Sequence, residues 1–313
     1  MLDKKLSDLF LKVSSKAALS SYYQIGKKDK IAADKAAVDS MRSELNKIDM
    51  NGRIVIGEGE LDKAPMLYIG EELGSKNGPD LDIAVDPLEG TNLVANNLPG
   101  GLSVIAIAEK NNLFGAPETY MDKISSNVSE TGVTDLDFSI KKNIYNLAEY
   151  KNKKPKDLTV CILDRPRHKD IIDDLKKLNI NLKLISDGDV SGALLVTDKK
   201  YSVDLFLGIG GGPEGVLAAS ALDAFNCNFQ GRFLFQTEDE KSRALKMGIK
   251  DFKKKYELKE IVTGDSIFCA TGITAGDITS GIEIINNEFI SETLITHKSL
   301  GLKKIIKKKQ KIQ

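Results

Sequence analysis

The sequence predicts a layered α/β sandwich built in two lobes. Three observations carry that expectation. Two helical patterns open the chain, short apolar strands recur through its first third, and from Leu158 to Phe225 strand patterns alternate with helix patterns. Alternation of the two element types is the mark of α/β construction, with largely parallel strand pairing.

Apolar residues recur at helical spacing from Leu6 to Leu19 and again from Ile31 to Ile48, the second stretch being rich in the helix formers Ala, Met, Leu and Glu. Gly52-Arg53-Ile54-Val55-Ile56 is a short β-branched strand that runs straight into Gly57-Glu58-Gly59-Glu60. A second strand, Leu81 to Val85, ends at Asp86-Pro87. A third, Leu102 to Ala108, is nearly all apolar and is predicted to be central in a sheet. The polar, helix-leaning segment from about Pro117 to Pro155 reads as a connection, so lobes are expected at residues 1–155 and 156–313. Beyond it, strands at Leu158–Leu163, Leu182–Ile185 and Val203–Leu207 alternate with helices at His168–Leu178, Val190–Val196 and Glu214–Phe225. Ser266 to Thr296 returns to β-like runs with Gly and Asn turns.

Composition narrows the function. With 313 residues, 41% hydrophobic and 29% charged, the chain has the balance of a soluble globular protein with a real core. Lys plus Arg and Asp plus Glu each total 45, and this zero net charge argues against a nucleic-acid partner. The one basic run, Lys303 to Lys311, reads as a solvated, frayed tail. No stretch approaches the roughly 18 uninterrupted apolar residues of a membrane span, and no secretory leader is evident, so no membrane partner and a cytoplasmic location are expected. Cys161, Cys227 and Cys269 are odd in number and far apart, which indicates neither a disulfide framework nor a thiolate zinc site. Only two histidines exist, His168 and His297, so a zinc hydrolase built on several imidazoles is disfavoured. Carboxylates must do most of any catalytic work, and hard oxygen ligands favour Mg²⁺ or Mn²⁺.

Carboxylates gather in suggestive places. Asp34 sits in the second helix among Ala32, Ala33, Ala36 and Ala37, an unusual setting for an acidic group. Glu58 lies between two glycines, which let a ligand approach the backbone. Asp86 and Glu89 follow the second strand, three residues apart, and Gly90-Thr91 open the next element. Such a pair can grip a cation from two sides and bridge to a second metal about 3.5–4 Å away. Each alone has a bland reading, a helix cap or an Asp-Pro turn; four together do not. The glycine-rich Gly208 to Gly215 follows a strand and opens a helix, a setting that suits phosphate, and Glu214 adds a carboxylate at its mouth. It lacks the Lys-Ser/Thr of a P-loop and fits G-x-G-x-x-G poorly. Asp164-Arg165-Pro166-Arg167 and Ser186-Asp187-Gly188-Asp189 each follow a strand; the arginines suit a phosphate and the aspartates sugar hydroxyls, although salt-bridged surface loops would read the same way. Tyr120 is ambiguous by itself.

Asp86-Pro87-Leu88-Glu89-Gly90-Thr91 resembles the D-P-[IL]-[DE]-G-T signature of the lithium-sensitive phosphatase superfamily, which includes inositol monophosphatases and fructose-1,6-bisphosphatases. Val55 to Glu60, Gly115-Ala116-Pro117-Glu118-Thr119-Tyr120-Met121, Ser186 to Asp189 and Gly208 to Gly215 resemble, in order, the class II (GlpX-type) fructose-1,6-bisphosphatases, over about Tyr23 to Thr296. The resemblance implies the layered αβαβα sandwich of that superfamily and a phosphoric monoester hydrolase acting on the 1-phosphate of fructose 1,6-bisphosphate. It implies metal ligands at Asp34, Glu58, Asp86, Glu89 and Glu214, for two or more Mn²⁺ or Mg²⁺ ions. It implies sugar-phosphate contacts at Glu89, Gly90, Thr91, Tyr120, Arg165, Pro166, Arg167, Asp187, Gly188, Asp189 and Gly211, with Thr91 beside the attacking water. A homo-oligomer, dimer or tetramer, is implied as well. Lys35, beside Asp34, departs from the small residue of relatives and could perturb the first metal site. The alternatives are a dual enzyme that also cleaves sedoheptulose 1,7-bisphosphate, an inositol-monophosphatase-like enzyme, which would not need Arg165 and Arg167, and a sugar-phosphate sensor, which would have lost a ligand carboxylate.

Overall fold

The computed structural model describes residues 2–59 and 65–312. Helices α1 (Lys4–Tyr22) and α2 (Lys30–Leu45) open the chain. Each starts at an aspartate whose carboxylate accepts an orphan backbone N–H, Asp3 from Leu6 and Asp29 from Ala32, both at 2.9 Å. Then come β1 (Asn51–Ile56), β2 (Glu72–Leu73), β3 (Asp80–Glu89), α3 (Thr91–Ala95) and β4 (Leu102–Glu109). A middle stretch carries β5 (Tyr120–Ser126), α4 (Ile140–Tyr150), β6 (Thr159–Leu163), α5 (Lys169–Lys177), β7 (Asn181–Ile185) and α6 (Asp189–Leu194). It continues through β8 (Leu205–Gly211), α7 (Gly212–Ala224), β9 (Asn228–Leu234), α8 (Glu238–Lys246), β10 (Lys255–Glu257) and α9 (Leu258–Ile261). The last elements are β11 (Ser266–Gly272), β12 (Glu283–Ile285), β13 (Glu288–His297) and β14 (Leu302–Lys311). The α/β class expected from the sequence is what the chain adopts. Glu60 of the Val55–Glu60 motif lies outside the described residues. Among those residues no helix is long and apolar enough to cross a membrane.

The contacts separate one unit, Met1–Gly115 with Val262–Gln313, from a second, Ala116–Ile261. The division expected between residues 155 and 156 lies inside the second unit, between α4 and β6, because β5 pairs with β8 and β9 there, while the closing strands return to the first sheet.

Among the described residues, the first unit holds an eight-stranded sheet in the order β12-β13-β11-β4-β3-β1-β2, with β14 beside β13. Only β1 and β3 run parallel; the other neighbours are antiparallel. The expected central position of the third strand holds: β4 lies between β3 and β11, buried along nearly its whole length. Helices α1 and α2 cover one face, where Phe10, Leu11 and Met41 pack with Ile54, Ile83, Ile105 and Ile267. Each such side chain withdrawn from water contributes about 1.5–3 kcal/mol. The basic run is not a frayed tail. Every residue from Leu302 to Lys311 pairs with β13, while Leu302 and Ile306 reach the core and Lys309 pairs with Glu288 at 2.5 Å. Lysines on such an edge strand discourage further strand addition.

The second unit holds a six-stranded sheet in the order β10-β9-β5-β8-β6-β7. Parallel pairing is confined to β8, β6 and β7, so the expected largely parallel arrangement holds only there. Strand β5, between β9 and β8, occupies ground the sequence pattern assigned to a connection. Its polar residues Lys123, Ser125 and Ser126 are buried, which hides the strand from any hydrophobic periodicity. Ile124, Ile162 and Leu205 form the core of this unit with Ile144 and Leu147 of α4 and Ile172 and Leu175 of α5.

Candidate active site

In the first unit, strand register brings carboxylates to one level. Ile56 pairs with Ala84, so Glu58, just past β1, and Asp86, inside β3, each stand two residues beyond a paired position on neighbouring parallel strands. The sequence placed Asp86 and Glu89 beyond the strand; the structure keeps both within β3. Asp86 pairs with Val104 and Glu89 with Leu102, so three steps along β3 match two along β4. Pro87 and Leu88 take up the extra residue as a bulge, which tolerates a proline and re-aims the side chains. Glu89 is buried, while Asp86 and Glu58 are half-buried.

Asp34 joins them through α2, whose Ala33 and Ala37 pack in one cluster with Leu88 and Val94. Asp34 is half-buried, and that burial pushes its carboxyl above the usual range. Lys35 pairs its ammonium with Asp39 at 2.6 Å, one turn along an exposed helix face. Thr91 is the half-buried first residue of α3, directly after Gly90, whose φ of +79° is left-handed. Among the described residues no three acidic, His or Cys side chains form a ready-made metal cage. The donors are nevertheless all oxygen. A Mg²⁺-type ion keeps water and substrate oxygens and asks one or two carboxylates of the protein, so this donor set fits such an ion.

In the second unit the remaining candidates meet at the carboxyl ends of β6, β7 and β8. Tyr120 opens β5 opposite Gly211 of β8. Its exposed ring lies 5.0 Å from the Arg167 guanidinium, and Arg167 Nε donates to the Ile209 carbonyl at 2.8 Å. Arg165 pairs with Asp187 at 3.4 Å. Pro166, exposed, begins the short 3-10 turn that carries Arg167, and Gly188 caps α6 in a left-handed conformation. Asp189 and Glu214 both press their carboxylates against the glycine backbone: a Cβ at Gly210 would collide with the first, and one at Gly211 with the second. A side chain at either glycine would push the adjacent carboxylate aside. Burial pushes the Glu214 carboxyl up; the nearby Lys123 ammonium opposes the shift, and the Asp189 and Glu118 carboxylates add to it.

Lys123 is the residue that sequence reasoning missed. Its side chain is 1% exposed and forms an ion pair with Asp189, and Nζ donates to the Gly211 carbonyl at 2.7 Å. Among the described residues the other Asp189 oxygen, Oδ1, is buried without a hydrogen-bond partner. The one signal in the sequence is a lysine two residues after Met121, in a polar segment without strand-like apolar alternation. Asp34, Glu58, Asp86, Glu89, Gly90 and Thr91 thus belong to one unit, and Tyr120, Arg165, Pro166, Arg167, Asp187, Gly188, Asp189, Gly211 and Glu214 to the other.

A family model described as bacterial fructose-1,6-bisphosphatase, glpX-encoded, matches residues 4–310. The chain belongs to this family. A Synechococcus sp. protein named D-fructose 1,6-bisphosphatase class 2/sedoheptulose 1,7-bisphosphatase is 40% identical over 319 residues, covering 94% of this chain and 92% of its own. A Synechocystis sp. protein of the same name is 39% identical with the same coverage. Among solved structures, an inositol monophosphatase from Anabaena (Nostoc) sp. matches 62% of this chain and 71% of its own, at 14% identity and a TM-score of 0.33, a likeness too slight to carry an argument.

Proposed function

We propose that this chain hydrolyses the 1-phosphate of fructose 1,6-bisphosphate to fructose 6-phosphate and phosphate in a divalent-metal-dependent reaction. The observation that carries the reading is the match of the glpX-encoded fructose-1,6-bisphosphatase family across residues 4–310. Asp34, Glu58, Asp86 and Glu89 in the first unit, and Glu214 in the second, would each offer an oxygen ligand to Mg²⁺ or Mn²⁺ ions. Such ions neutralise phosphate charge and raise the acidity of a water molecule. Thr91, at the start of α3, orients the attacking water with its hydroxyl. Arg165 and Arg167 hold the 6-phosphate, and the flat, forked guanidinium suits its oxygens. Asp189 Oδ1 supplies a buried acceptor whose unmet demand a sugar hydroxyl would satisfy. Tyr120 offers its ring face to the Arg167 guanidinium.

The names of the relatives favour a second substrate, sedoheptulose 1,7-bisphosphate, which shares both terminal phosphates. A phosphate-release assay on both sugars, with Mn²⁺, Mg²⁺ or a chelator, tests the reading. Turnover of the fructose substrate is expected with metal and near-complete loss with chelator; undiminished turnover in chelator would refute it.

A further inference from the structure

We propose that His168 is a positioning residue for the distal phosphate: its Nε2 holds the backbone of Ile209 in β8 and so sets where Arg167 stands. The inference rests on the reading in which Arg165 and Arg167 hold that phosphate.

His168 is fully buried and closes the turn Pro166–His168, next to Arg167. Its Nδ1 lies 2.7 Å from the carbonyl of Leu163, the last residue of β6. Its Nε2 lies 2.7 Å from the backbone nitrogen of Ile209 in β8. A carbonyl can only accept and a backbone amide can only donate. The ring must therefore carry its proton on Nδ1 and offer the Nε2 lone pair to Ile209, which only the neutral imidazole of that tautomer does. The same Ile209 receives Arg167 Nε through its carbonyl, and Arg167 in turn lies over Tyr120. The ring thus anchors the residue on which the arginine leans.

The backbone is shaped for this contact. Gly208 adopts φ +143°, and a Cβ there would stand 3.1 Å from His168 Nε2. The charged groups facing the ring are Arg167 and Asp189; burial and the Arg167 charge favour the neutral form, and Asp189 opposes them. An imidazole needed only to fill a hole in the core would have no reason to bond two separate strands at the mouth of a phosphate site.

Two amide substitutions separate positioning from packing. The amide oxygen of a glutamine overlays Nε2 and still accepts from Ile209, whereas an asparagine amide overlays Nδ1 and serves only Leu163. Both remove the ring. Binding of fructose 6-phosphate, which carries the distal phosphate alone, is measured by calorimetry on the full chain in chelator. His168→Asn is expected to weaken binding about tenfold, the worth of one hydrogen bond, and His168→Gln less than about twofold. Turnover of fructose 1-phosphate, which lacks the distal phosphate, should change with neither. Equal losses in both variants, or no loss in either, overturn the proposal. Arg167→Ala is the reference: if it leaves fructose 6-phosphate binding intact, the assignment of the arginines fails, and the proposal with it.

Discussion

Replacing Lys123 with methionine removes the buried ammonium while keeping the length of the side chain. Lys123 is 1% exposed and its partner Asp189 11%, so water cannot easily take the place of the lost cation. The Gly211 carbonyl loses its 2.7 Å donor in the same change. Breaking a buried pair by removing one member costs about 3–5 kcal/mol, because the surviving charge is left uncompensated. At about 2–4 °C per kcal/mol for a domain of this size, even the lower figure lowers Tm by roughly 6–12 °C. The assay is thermal unfolding of the wild type, Lys123→Met, Asp189→Asn and the double variant. If the pair is the cause, the double variant is more stable than Lys123→Met alone, since no orphaned carboxylate remains. A Tm drop under about 2 °C in Lys123→Met, or strictly additive losses in the double variant, would refute the reasoning.

Thr91→Ala is expected to lower kcat at least about a hundredfold through lost orientation of the water, with Tm unchanged, because the residue is only half-buried; paired kinetics and melting curves check both. His168 is held neutral, its pKa below the ordinary 6.5 through burial, so its protonation favours the unfolded chain. Its contribution is therefore complete above about pH 6.5 and declines as the pH falls through the depressed folded value, and wild-type Tm should drop more between pH 7.5 and pH 5 than that of His168→Gln. Asp204 accepts from Lys151 at 2.9 Å, Lys153 at 2.8 Å and the Thr159 N–H at 3.0 Å. Burial opposes its ionisation, but these donors win and hold its carboxyl below the usual range. Asp204→Asn should cost about 2 kcal/mol in urea titrations, short of the full buried-pair loss because Lys153 is 42% exposed and can turn to water. A change under about 0.5 kcal/mol would show the cluster to be inert.

Much of the fold was readable where apolar spacing is regular. The patterns at Leu6–Leu19 and Ile31–Ile48 became α1 and α2, and Leu102–Ala108 became the buried β4. Reading failed where charge is buried or paired out of sight. Strand β5 carries Lys123, Ser125 and Ser126 inside the protein, so it looked like a polar connection. Strand β14 looked like a tail because its lysines mask an alternation in which only Leu302 and Ile306 reach the core. Asp86 and Glu89 were identified as a pair, but the bulge that aims them depends on β4 and is invisible along the strand itself.

Residue chemistry along the chain therefore settles which groups this protein has to work with. A scarcity of imidazole, carboxylates beside glycines and at strand ends, and two arginines after a strand are local facts, and the type of each side chain carries its chemistry wherever it stands. Tertiary structure alone decides which of those groups are desolvated and what they bond. That Lys123 neutralises Asp189, that His168 reads as a neutral tautomer between Leu163 and Ile209, and that the closing strands belong to the opening sheet all depend on segments distant in sequence. Burial and strand pairing are properties of the neighbours a residue acquires on folding.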